Sequence, residues 1–326
     1  MHVRQRNSPL ARARAGAAAA GALLAVALAG AAPARAAVAL PTASTGAASN
    51  ISYSAAILHG RLDGHGQATD YFFQYGHSSK YGLMSPLSPA GSTAGTLSVS
   101  QTISGLAPLT VYHYRLVAVN GGGAAPGSDH SFTTPPVPLS VAIVGNPDPV
   151  PFGNPFVVEG TLAGTGSGNH EVRLEADPFP YVSGFTPVGN PELTSATGGF
   201  SFPFLGLMLN AQLRVSTVGK PIVFSPVIVE GVAVRVSVRV HATHRRGWAR
   251  IYGTVTPAEV GARVGFQLLE PGHRSVNVGG TIVVYASATA SRFSRVLRVR
   301  HGLYKALVQV SDGAHVSAYS PPLLVG

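Results

Sequence analysis

Arginine is the side chain through which this sequence has most to offer chemically. Arg235 and Arg239 alternate with valine in Val234-Arg-Val-Ser-Val-Arg-Val-His241, Arg245, Arg246 and Arg250 follow closely, and Arg298 and Arg300 form a second alternate pair. A guanidinium is a planar fork of five donors that fits phosphate or carboxylate bidentately. On a strand, period-two alternation puts the valines on one wall and Arg235, Ser237, Arg239 and His241 on the other. Such a face could contact an anionic cell-wall polymer, phospholipid headgroups or nucleic acid. It could also do no more than solvate the sheet, because net charge constrains function only loosely. The second set is aromatic. Phe179, Tyr181 and Phe185 in Asp177-Pro-Phe-Pro-Tyr-Val-Ser-Gly-Phe185 could stack on sugar rings, or could fold over their own sheet edge.

Catalytic patterns are missing. There is no GxSxG elbow for acyl transfer and no HExxH. Gly164-Thr-Gly-Ser-Gly168 has no following Lys to grip phosphate and reads as a hairpin loop. His241 and His244 are three apart, so on a strand they face opposite ways. Two ligands also fall short of the three or four that zinc takes from protein. Glu171, Glu175 and Asp177 cluster, but short-looped strands supply no cleft to set two carboxyls across a glycosidic bond. The expectation is a protein without catalytic residues, bound metal or cofactor.

The elements that carry these residues are strands. The chain has 326 residues, 39 Gly, 25 Pro and no Cys, with 11% charged and 45% hydrophobic residues. That length suggests two or three domains, and the composition favours short strands separated by turns. Without Cys there is no disulfide, no thiolate ligand and no thiol nucleophile. The N-terminus reads as an export signal: Arg4, Arg6, Arg12 and Arg14, an uncharged Ala- and Leu-rich run from Ala15 to Ala32, then Ala34-Arg35-Ala36. Cleavage is expected after Ala36, giving a signal peptide over 1–36. The run lies near the lower limit for a spanning helix, so retention as an anchor is the alternative. No further membrane span is expected in the mature chain, which is read as secreted or extracellular, free or associated with the cell surface.

Leu106-Ala-Pro-Leu-Thr-Val-Tyr112 is a turn feeding a strand, with Tyr112, Tyr114, Leu116 and Ala118 on one face. The Leu106, Pro108, Tyr112 spacing resembles the corner of a fibronectin type III domain. The resemblance implies that Leu106 plugs the core and that the Tyr112 hydroxyl bonds back to the turn. Ala56–Gly60, Tyr71–Gly76, Tyr81-Gly82 and Phe132-Thr-Thr134 extend the likeness, which is to type III modules of exported actinobacterial proteins. Two departures stand out. The early-strand Trp of the animal modules is absent, with Leu58 expected in its place, and no Arg-Gly-Asp is present.

Thr134-Pro-Pro-Val-Pro138 is a stiff linker. Beyond it the chain repeats: Gly160-Thr-Leu answers Gly253-Thr-Val, Phe200-Ser answers Phe293-Ser, and Ser225-Pro answers Ser320-Pro. The layout resembles bacterial immunoglobulin-like modules. The fold expected is all-β: three tandem β-sandwiches, with a type III-like domain at 45–134, a Pro-rich linker at 135–139, and immunoglobulin-like repeats at 140–231 and 232–326. Residues 37–134 hold 3 basic and 3 acidic side chains, residues 135–230 hold 3 and 7, and residues 231–326 hold 12 and 3. Positive charge is therefore concentrated in the last repeat.

These readings point to a secreted, non-enzymatic modular protein for interaction and spacing. Carbohydrate binding by the aromatic loop and polyanion binding by the last repeat are the alternatives. The expected partner is cell-wall glycan or another envelope protein rather than nucleic acid, and the expected state is a monomer.

Overall fold

The computed structural model describes residues 38–92, 94–272 and 274–326. The expected cleavage site at Ala36 and the segment before it lie outside the described residues. The described chain is all-β, with no helix. Among the described residues no helix is long and apolar enough to cross a membrane.

Three separate hydrophobic cores lie between facing sheets. In the first, strands Thr42–Thr45, Ala55–Asp63 and Leu97–Ser104 form one sheet, and a sheet built on Thr69–Gly76 and Val111–Asn120 faces it. Alternation explains the packing. Leu58, Phe73 and Leu116 point inward and are fully buried, each contributing about 1.5–3 kcal/mol by leaving water. Leu58 is therefore a core residue of this sandwich. At the corner Leu106 and Tyr112 are buried, and the Ala107 N–H donates to the Tyr112 hydroxyl at 2.9 Å. Thr134 closes this sandwich. Its hydroxyl donates to the Ala107 carbonyl at 2.6 Å and accepts the Thr110 N–H at 3.0 Å. Three residues later the Val137 N–H donates to Thr165 Oγ1 at 3.0 Å, and the Thr165 N–H donates back to the Val137 carbonyl at 3.0 Å. Only Pro135 and Pro136 therefore bridge the first two cores without such an anchor.

The second and third cores show what the sequence repeat is for. Gly160 pairs with Phe200 across neighbouring strands, and Gly253 pairs with Phe293 in the same way. Each phenyl ring lies over its glycine. A Cβ on Gly160 would fall 2.4 Å from Phe200 Cζ, and one on Gly253 would fall 2.5 Å from Phe293 Cζ. The serine-proline landmarks are equally exact counterparts. The Val215 N–H donates to Ser225 Oγ and the Ala306 N–H to Ser320 Oγ, both at 2.9 Å, and each hydroxyl donates onward to the next proline's carbonyl. Both serines are buried, so the hydroxyl satisfies a backbone donor where water has little access.

The junction of these two sandwiches is a hydrogen-bonded ladder. Val232–Ala233 pairs in parallel with Val150–Pro151 of the second sandwich, and Ala233 bridges to Val316 of the third. The Val316 N–H donates to the Val232 carbonyl at 2.7 Å. Asn210 adds a clamp: its Oδ1 accepts the Val232 N–H at 2.7 Å, and its Nδ2 donates to the Gly313 carbonyl at 2.9 Å.

Candidate functional site

In the third sandwich Arg235–Ala242, Trp248–Thr256 and Ser291–Arg298 run side by side in one antiparallel sheet. Val236, Ile251, Val255, Phe293 and Leu297 fill the core, so the alternate residues must point outward. The register fixes which of them meet. Arg239 stands opposite Tyr252 and Tyr252 opposite Ser294. His241 stands opposite Arg250, and Thr254 lies between Ser237 and Arg292. Arg239 and Arg250 are therefore diagonal neighbours, with α-carbons about 7–8 Å apart. Arg298, opposite Trp248, continues the pattern at one end, and Arg235, opposite Thr256, continues it at the other. Arg239, His241, Arg250, Tyr252 and Arg292 line a shallow, open groove across the three strands.

No acid answers this charge. Among the described residues, Arg235, Arg239, Arg250, Arg292 and Arg298 form no ion pair. The three acids of this sandwich are engaged elsewhere: Glu270 pairs with Arg300, while Glu259 and Asp312 sit with His315. Like charges set diagonally across strands repel, which costs the sheet some stability. A polyanion laid across the groove would reverse the sign of that term.

Arg245 and Arg246 lie in the hairpin that joins the first two of these strands, not on the sheet. The Arg245 guanidinium covers the Trp248 ring at 4.6 Å, which places it at the end of the same face, while Arg246 is exposed at the tip. Sequence reasoning found Arg235, Arg239 and Arg298 through alternation and Arg250 through its nearness to Arg245 and Arg246, and it added Arg300, which pairs with Glu270 instead. It missed Arg292 and Tyr252, because only the pairing of distant strands brings them alongside.

The aromatic loop is arranged differently from the arginines. Phe179 and Tyr181 meet edge to face with centroids 5.7 Å apart. The Phe179 ring also packs on the third sandwich, where a Cβ on Gly313 would come within 2.9 Å of it. Phe185 stands apart from this pair. The Arg214 guanidinium covers its ring at 4.1 Å and the Phe224 ring at 4.3 Å, while donating to Glu175 at 2.7 Å. The three rings make no continuous platform, and one face of Phe185 is already taken.

No protein-family model matches this chain, and no curated protein matches it either. Among solved structures, the FN1–FN3 domains of chicken CNTN1 align over 88% of this chain and 98% of theirs, at 15% identity and a TM-score of 0.29. A tetra-tandem repeat from the extending region of a large adhesion protein aligns over 88% of this chain and 74% of its own, at 14% identity and a TM-score of 0.27. Domains A168–A170 of titin align over 87% and 98%, at 12% identity and a TM-score of 0.36. TM-scores this low bear no functional weight. The tandem β-sandwich architecture rests on the strands and cores themselves.

Proposed function

We propose that this is an exported, non-catalytic modular protein whose third sandwich holds an anionic polymer of the cell envelope, with the preceding sandwiches acting as spacers. One observation carries the reading: five outward arginines share one sheet face that no carboxylate among the described residues neutralises. The polymer would be a polyphosphate or polyuronate chain, since guanidinium forks suit both groups. Tyr252 at the centre of the groove offers an apolar floor for the polymer backbone. Sugar stacking by Phe179, Tyr181 and Phe185 is the weaker reading, because those rings are divided between the domain junction and the Arg214 contact.

The test is retention on immobilised polyphosphate and on purified anionic wall polymer, eluted with a salt gradient. The expected result is release well below about 1 M salt, where screening is nearly complete. Each of Arg239→Ala, Arg250→Ala and Arg292→Ala should lower the salt slope by about one. Retention that ignores salt, or a triple variant that elutes with the parent, would remove the proposal.

A further inference from the structure

A second constellation lies at the junction of the last two sandwiches, away from the arginine face. His315 Nε2 is 3.0 Å from the Met208 carbonyl oxygen. A carbonyl only accepts, so Nε2 carries the hydrogen and donates it. The other ring nitrogen, Nδ1, is 2.9 Å from Asp312 Oδ2 and 2.9 Å from Glu259 Oε1. These three atoms lie within 4.8 Å of one another.

The Asp312 carboxylate and the Glu259 backbone are both anchored. Asp312 Oδ1 accepts the backbone N–H groups of Ala314 and His315 at 3.0 and 3.1 Å, which aims Oδ2 at the imidazole. Glu259 is buried, and its backbone N–H donates to the fully buried Ser291 hydroxyl at 3.0 Å. The Phe152 ring packs against the imidazole with centroids 5.9 Å apart, and the His315 side chain is only 8% exposed.

A neutral imidazole in this pose turns its lone pair toward two anionic acceptors. Something positive must sit between them, either a proton on Nδ1 or a metal ion.

We propose that Glu259, Asp312 and His315 form a binding site for one divalent transition cation of the zinc class, with water completing the coordination. One imidazole nitrogen and two carboxylate oxygens suit zinc's borderline softness. Calcium wants six to eight oxygens, more than these residues offer. Zinc bonds of about 2.0–2.2 Å in a tetrahedron set ligand atoms about 3.3 Å apart, so Nδ1 needs to separate from each oxygen by only about 0.4 Å. A zinc-bound histidine characteristically donates its remote N–H to a carbonyl or carboxylate. Met208 supplies that acceptor from the second sandwich, so the ion would also stiffen the junction.

The protein is stripped with EDTA and titrated with Zn²⁺ by calorimetry and with Co²⁺ by visible absorption, beside Asp312→Asn and His315→Ala. The expected result is one site per chain, four-coordinate Co²⁺ bands, a higher melting temperature with Zn²⁺ than with Ca²⁺, and affinity at least about 10-fold weaker in each variant. Asp312→Asn keeps the acceptor for the two backbone donors, so the comparison survives even if His315→Ala does not fold. No stoichiometric site, equal stabilisation by Ca²⁺, or undiminished affinity in Asp312→Asn would overturn the proposal and leave a proton as the occupant.

Discussion

Replacing Gly253 with alanine tests the packing logic of the repeat directly. The new Cβ would lie 1.9 Å from the Ser237 carbonyl oxygen and 2.5 Å from Phe293 Cζ, against ordinary contacts of 3.4–4 Å. The ring is 2% exposed and wedged in the core, so it cannot swing away. The carbonyl belongs to the neighbouring strand, so moving it disturbs the pairing of Arg235–Ala242 with Trp248–Thr256. Overpacking a core costs about 1–3 kcal/mol, and a clash with backbone belongs at the top, near 3 kcal/mol. With a urea slope of about 1–2 kcal/mol per molar, the midpoint should fall by about 1.5–3 M. Trp248 is the sole tryptophan and lies in the affected strand, so its fluorescence reports this sandwich. Gly265→Ala is the control. Nothing lies within 4 Å of its Cβ position, and the expected change is under about 0.5 kcal/mol. If Gly253→Ala matched that control, the view that glycine makes room for the phenyl ring would be wrong.

Tyr112→Phe removes the acceptor of the Ala107 N–H and should cost the first sandwich about 1–2 kcal/mol in thermal or urea unfolding; a change below about 0.3 kcal/mol would deny the corner its role. Glu230 is buried with Oε1 lacking a partner, and burial together with the Asp148 charge raises its carboxyl from 4.5 to about 7. The folded state then holds the proton more tightly than the unfolded chain, so stability is fullest below about pH 4.5 and falls by up to about 3 kcal/mol as pH rises through 7. Glu230→Gln should flatten that decline in urea midpoints compared at pH 5 and pH 8, and identical pH profiles for parent and variant would refute the assignment.

How much the sequence disclosed depended on how local each feature is. The corner was legible because Leu106, Pro108 and Tyr112 act within one turn. Arg235 and Arg239 could be placed on one face because alternation along a single strand is enough. Arg292 required knowing that Ser291–Arg298 lies beside Trp248–Thr256, and strand register is set by tertiary packing rather than spacing. The repeat marked Gly160 and Gly253 as important, but the reason is a ring from another strand. Glu259 and His315 come from separate loops that nothing in the local pattern connects. The Asp312-x-x-His315 spacing joins two of the three residues and leaves Glu259 unannounced. The aromatic loop stayed open between sugar stacking and folding over its own sheet edge, because the contacts of Phe185 with Arg214 and of Phe179 with Gly313 come from residues distant in sequence.

The ladder at Val232–Ala233 bears on how this molecule can be divided. A cut between residues 231 and 232, where a reading by domains would place it, deprives Phe152 of the Ala233 carbonyl that accepts its N–H and deprives the Val232 N–H of its acceptor on Asn210. It would also lay bare Val150 and Val232, neither of which now touches solvent. Fragments made there would carry raw, adhesive edges. The last two sandwiches should be expressed, digested and inherited as a pair, and the double proline after Thr134 is where the chain offers a clean break.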